Sequence, residues 1–200
     1  IRMWHAAASG DAGARRDAAR LPEYERRLLH AVSTGRELGR LATNPLMCGL
    51  ICALNRDRYG ILPQGRKALY MAALAMLLER RDPEREVDPD GITLEREAKE
   101  RLLQKLAHWM LLNDRSEISR DMAVDILVSH LPAIPSAGEQ GSAEQLFKHL
   151  LERTGLLRRP TPDTVDFVHR TFQDYLSAKE AVERHDFPFL VNNAHRPDWD

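Results

Sequence analysis

The sequence predicts a mainly α-helical protein, a helical bundle subdomain followed by a second set of helices that closes on a small β-hairpin. Three observations carry this. Apolar side chains recur at helical spacing through most of the chain, the sign of helices with one buried face. Residues 82–100 break that rhythm with eight acidic and three basic side chains together with Pro83, Pro89 and Gly91, which marks a linker. Only near the C-terminal end do two short β patterns, 156–158 and 165–168, stand between helical ones.

The composition narrows the function classes. With 200 residues, 43% apolar and 30% charged, the chain suits one large domain or two small ones. A net charge of -1 leaves no global field to draw it to nucleic acid or to an anionic membrane. Cys48 and Cys52 stand four apart in an apolar helical run, where a bridge is geometrically unfavourable. They read as buried thiols of a reducing compartment, so the expected location is cytoplasmic. The longest apolar run, 45–54, is too short to cross a bilayer, and no signal peptide opens the chain. A start at Ile1 and an end in mid-pattern at 197–200 are what a fragment would show.

Taken in order, residues 11–27 mix Ala with Arg and Asp without an apolar stripe and are expected to form an exposed helix or loop. Leu28, Leu29 and Val32 then begin a helical face that continues past Gly35 through Leu38 and Leu41. Asn44 before Pro45 is a helix start, because the Asn side chain accepts an early backbone N–H and proline at the first position loses no bond. The helix it opens, about 46–55, is apolar nearly all round and should be buried. A turn at 59–65 leads to a helix over 66–81 with Leu69, Tyr70, Ala73, Leu74, Leu77 and Leu78 inward. Beyond the acidic linker, helices are expected over 94–113 and over 120–130, the second capped by Ser119. After a loop at 132–141, Ser142 and Gln145 form a capping box for a third helix with Leu146, Phe147, Leu150 and Leu151 on its apolar face and Gly155 as its stop. The two β patterns then flank 159–164, and a last helix presents Phe172, Tyr175, Leu176 and Val182 at helical spacing. Helix, helix, helix, hairpin, helix is the winged-helix order.

The stretch Phe167-Val-His-Arg-Thr-Phe-Gln-Asp-Tyr-Leu-Ser-Ala178 resembles the FxHxxFQEYLAA signature that closes the winged-helix subdomain of NACHT-type signalling NTPases, the STAND class of ATP-dependent switches. A second segment, Leu41-Ala-Thr-Asn-Pro-Leu-Met-Cys-Gly-Leu50, is similar to the NPL segment of the helical subdomain before that winged helix. The resemblance runs from about residue 4 to residue 182 and lacks the phosphate-binding half. It implies a helical subdomain over 1–82, a linker over 83–93, a winged helix over 94–184 and, in 185–200, the start of a following region of the kind that opens a repeat array in this class. It further implies that Pro45 lies against the adenine and that His169 reaches the β-phosphate of ADP. The nucleotide, ADP or ATP with Mg²⁺, would be held mainly by the missing core. The chain would then be the regulatory lid of a signalling ATPase, controlling self-association in immune or stress signalling, a setting that includes antiphage defence in bacteria. Its expected partners are the N-terminal NTPase core of the same protein, other copies on activation and a trigger of unknown nature.

Beside each implied role stands a plain reading of the residue. Pro45 is fully explained as a helix-start proline, and a lone histidine at the base of a wing commonly bonds a local carbonyl. Other chemistry has no anchor. Gly60 to Lys67 nearly spells a phosphate-binding loop, but Arg66 and Lys67 stand where Lys and Ser/Thr belong, Pro63 removes a donor, and no strand precedes. Asp88 to Gly91 opens like a calcium loop whose later ligand positions fall on Leu94, Arg96 and Lys99. With no metal or serine-nucleophile motif either, the fragment alone is expected to be catalytically inactive. The rival reading, a winged-helix transcriptional regulator, requires the third helix to meet DNA. Its outward candidates are Glu144, Gln145, Lys148, His149, Glu152 and Arg153, a charge-balanced set with only Arg158 and Arg159 as a basic pair nearby. DNA is therefore not the expected partner, since phosphate neutralisation supplies most non-specific affinity.

Overall fold

In the structure, a computed structural model, residues 1–9, 19–85 and 91–193 are described. They belong to two compact units that divide between Met76 and Leu77. The expected linker residues 86–90, residues 11–18 of the expected exposed segment 11–27 and the final aromatic Trp199 lie outside the described residues.

The first unit holds α1 (Arg2–Ser9), α2 (Leu21–Thr34), α3 (Arg36–Ala42), α4 (Pro45–Asp57) and the beginning of α5 (Arg66–Arg85). α2 begins at Leu21, where an exposed helix or loop was expected, and Leu21, Tyr24 and Leu28 are buried on one of its faces. Arginine and glutamate at 23–27 mask that spacing, because they occupy the opposite face. The α4 start follows the expected chemistry, with Asn44 Oδ1 accepting the Met47 N–H at 3.1 Å. Ile51, Cys52 and Leu54 are almost wholly enclosed on α4, and Asn55 Nδ2 donates to the Tyr24 carbonyl at 3.1 Å, joining α4 to α2. Burial, with Cys48 beside it, pushes the Cys52 thiol up to about 12, so it packs as an inert side chain. Both cysteines are free thiols. Gly60 takes φ 86° in the turn after α4, where a Cβ would come 3.1 Å from the Tyr24 ring. The turn and the start of α5 at Arg66 occupy the near-match to a phosphate loop. α5 continues through Pro83 to Arg85, beyond the expected end at 81. A proline inside a helix forfeits one ladder bond, and Pro83 does so near the end of α5.

The second unit is the winged helix. Its elements are α6 (Arg96–Leu112), β1 (Glu117–Ser119), α7 (Arg120–His130), a 3₁₀ turn (Leu131–Ala133), α8 (Pro135–Gly138), α9 (Ala143–Arg153), β2 (Leu157–Thr161), β3 (Thr164–Phe167), α10 (Arg170–Glu183) and α11 (Phe187–Asn193). Ser119 Oγ accepts the Met122 N–H at 3.2 Å, and the capping box is complete, Ser142 Oγ accepting from Gln145 N and Gln145 Oε1 from Ser142 N. Gly155 takes φ 64° just past α9. Leu102, Leu103, Leu106, Met110, Leu127, Leu146, Leu150, Phe172 and Leu176 are each at most 1% exposed and make the core.

Three features depart from the expectation. β1 adds a third strand, so the sheet is antiparallel in the order β1-β3-β2, with Ile118 opposite Val165. The hairpin is longer than expected, reaching Thr161 and turning over Pro162 and Asp163. Pro160 is tolerated because β2 is an edge strand and its register is irregular between Arg158 and Thr161. The expected loop at 132–141 folds into the 3₁₀ turn and α8, with Ile134 and Ala137 buried.

Candidate functional site

The junction between β3 and α10 is built to hold His169. β3 delivers buried Phe167, and the Val168 N–H donates to the Leu156 carbonyl at 2.8 Å, which fixes the strand end. His169 then takes an extended conformation as the N-cap of α10, its Nδ1 accepting the Thr171 N–H at 3.1 Å. The Phe172 N–H donates to the His169 carbonyl at 3.0 Å, and the Phe172 ring, 1% exposed, anchors the first turn in the core. The half-buried imidazole is held by the cap, and the backbone beneath it by the Phe172 bond. An accepting Nδ1 puts the proton of a neutral ring on Nε2, the tautomer that donates through Nε2. The local partner is an amide N–H, where a local carbonyl was the plain expectation.

Around that first turn the side chains are polar. Arg170 lies 3.7 Å from Asp174, and Gln173, 7% exposed, donates from Nε2 to the Arg115 carbonyl at 3.0 Å. Arg115, Arg170, Asp114, Asp174 and Gln173 line a pocket of about 140 Å³ beside the end of α6. His169 is not among its lining residues. Tyr175 is half-buried, and burial together with Glu100 and Glu183 raises its pKa. Val182 is 50% exposed; buried Ala181 and Glu180 take the inward place expected of it.

Pro45 is exposed at the first position of α4. Its ring is open to a flat partner, and its position is also what the helix start requires. Pro45 belongs to the first unit and His169 to the second.

On the face a DNA reader would use, Arg158, Arg159 and Arg120 are engaged within the unit. Arg158 makes a bidentate pair with Asp166 across the hairpin at 2.8 and 2.9 Å, and Arg159 donates to the Pro162 carbonyl at 2.6 Å. Arg120 pairs with Glu144 at the start of α9. His149, expected to face outward, is 3% exposed, because α9 packs against α7 and β2 along that side. Among the described residues, no group of three His, Cys, Asp or Glu could hold a metal ion, and no helix is long and apolar enough to cross a membrane.

Comparison with known proteins is consistent with this architecture. The family model described as the winged helix-turn-helix domain C-terminal to NACHT matches residues 66–181. No curated protein and no solved structure matches the chain.

Proposed function

This chain belongs to the family of winged helix-turn-helix domains C-terminal to NACHT, and from that premise we propose that it is the regulatory lid of a nucleotide-switched NTPase. The NACHT core of the same protein is its first partner. Adenine nucleotide, with Mg²⁺, is held mainly by that core and presents anionic phosphate oxygens to the lid.

One observation supports the reading above others: the cap that fixes His169 uses Nδ1 and leaves the ring's proton on Nε2. Such a ring fits a phosphate by the chemistry of its donor. His169 holds a β-phosphate oxygen of ADP by that N–H, and Pro45 lays its exposed ring against the adenine. The bond exists in the closed arrangement and is lost in the open one, and only a contact that differs between two states shifts their equilibrium. When it is lost, the winged helix rotates as a body and frees surfaces for self-association. The setting we propose is immune or stress signalling, including defence against phage. A DNA-reading role draws no support from this geometry, because Arg158, Arg159 and Arg120 are engaged within the unit.

Two substitutions in the full-length parent separate the ligand role of His169 from its cap. His169→Asn keeps an N-cap acceptor and removes the imidazole; His169→Ala removes both. A hydrogen bond to a charged group is worth about 1.5 to 3 kcal/mol, which is roughly a ten- to hundredfold change in the open fraction. Both variants should therefore self-associate without the trigger, as read by sedimentation. Self-association unchanged in a folded His169→Asn parent would reduce the histidine to a capping residue.

A further inference from the structure

The net charge of -1 conceals a division. Residues 1–76 carry twelve basic and six acidic side chains, whereas residues 77–200 carry seventeen basic and twenty-four acidic ones. The first unit is therefore cationic and the second anionic, and each sets its charge beside exposed apolar side chains at one place.

In the first unit that place is the turn between α4 and α5. Tyr59 and Ile61 are 61% and 71% exposed there, with exposed Arg58 before them and exposed Arg66 and Lys67 after. These three cations make no ion pair among the described residues, and Asp57 is the one carboxylate in the stretch 56–67. The turn has a fixed shape. Tyr59 takes φ 54° and Gly60 φ 86°, the Gly60 N–H donates to the Asn55 carbonyl at 2.7 Å, and the Asn55 side chain is tied to α2. A bulky residue rarely adopts a positive φ, so the backbone around Tyr59 holds it in place.

In the second unit the outward face of α7 carries the opposite charge. Asp121, Asp125 and Val128 recur there at helical spacing with Met122 beside them, while Ala123, Ile126 and Leu127 turn to the core. Met122 and Val128 are 39% and 56% exposed, and the Asp121 side chain is 91% exposed. Asp125 pairs with no cation among the described residues. Arg120, at the head of the helix, lies 3.7 Å from Asp121 and is engaged by Glu144. A turn with two apolar side chains among cations thus matches a helix with two among carboxylates.

We propose that these are the two halves of a contact between copies, the α4–α5 turn of one chain docking on α7 of another. Because the two patches differ, the contact is heterologous and repeats from copy to copy. A turn against one helix buries little surface, so each contact belongs to the weak, transient class. It names surfaces for the self-association of the lid reading and in that respect rests on it; the test needs neither nucleotide nor trigger, so the two fail separately.

Sedimentation of the whole chain at rising salt tests the contact. Association should weaken with salt, because exposed charges are screened within about 10 Å at 0.1 M. Arg58→Glu with Arg66→Glu, or Asp121→Lys with Asp125→Lys, should each lower the association constant at least about tenfold, since like charges then face each other. Mixing the two variants should restore it, as the reversed turn of one meets the reversed helix of the other. A mixture as weakly associated as its components overturns the proposal. So does an unaltered chain that stays monomeric at low salt; a single-stranded oligonucleotide held by that monomer, and released by Arg58→Glu with Arg66→Glu, would assign the turn to nucleic acid. Should the α7 variant fail to fold, the turn variant decides, and association unchanged from the unaltered chain overturns the contact.

Discussion

On the wing, Arg158 lies mostly in water, its side chain 60% exposed, and its partner Asp166 sits across a two-strand hairpin. In the seam between α6 and α10, Glu180 is 1% exposed and its partner Lys105 is 15% exposed. Both are carboxylate-cation pairs, but their energetics differ. The wing pair keeps its cation in water while Asp166 is 15% exposed, and it aligns the hairpin. The seam pair has given up most of its hydration, so its worth depends on both members staying in place. The winged helix thus uses exposed charge to shape the wing and buried charge to attach α10.

The apolar part of that attachment should be the hardest to lose. Phe172→Ala removes the ring that anchors the first turn of α10, and we expect a loss of about 3 to 5 kcal/mol in denaturant unfolding. A loss of less than about 1 kcal/mol, little more than a surface substitution causes, would mean that α10 is held by its polar seam alone. Next in size, Glu180→Gln strands Lys105 and should cost about 3 kcal/mol, the low end for breaking a buried pair because Lys105 keeps some solvent. Arg158→Ala on the wing should leave the unfolding midpoint unchanged. Equal effects from the two would erase the contrast between the regions.

The smallest expected effect is on DNA. With Arg158, Arg159 and Arg120 engaged, His149 inside and carboxylates beside Lys148 and Arg153, the unit should bind duplex no tighter than ordinary non-specific binding of about 10⁻⁴ to 10⁻⁶ M at physiological salt. Arg158→Ala should barely alter it. Sequence-dependent nanomolar binding in a salt-titrated anisotropy series would turn the wing into a reader and reverse the comparison.

What was legible in the sequence was local. The caps at Asn44, Ser119 and Ser142 depend on residues within three positions of each other, and all three form as read. The winged-helix order was legible for the same reason, since each helix shows its own periodicity. β1 was not, because three residues with a single inward side chain, Ile118, become a strand only by pairing with β3 nearly fifty positions later. The inward turn of His149 and the buried polar groups of the seam were hidden by a shared assumption, that charged or polar side chains on a helix mark its wet face. Glu180, His108 and Lys99 break it by finding partners on other elements or by accepting neutrality, as when Lys99 Nζ donates to the Leu78 carbonyl at 3.2 Å. For the candidate site, the motif singled out His169, while its cap geometry required the backbone of Thr171 to be in place. Arg115 and Gln173 meet only through the fold, and nothing in their spacing announces it.

The proposed lid rests on His169 meeting nucleotide, and the rate of ADP release measures that contact most directly. In the purified full-length parent, fluorescent ADP should dissociate roughly ten- to hundredfold faster from His169→Asn than from the unaltered protein, the kinetic share of a bond worth about 1.5 to 3 kcal/mol. Circular dichroism of the two should coincide, since asparagine keeps the α10 cap. Identical release rates from two equally folded proteins would contradict the account.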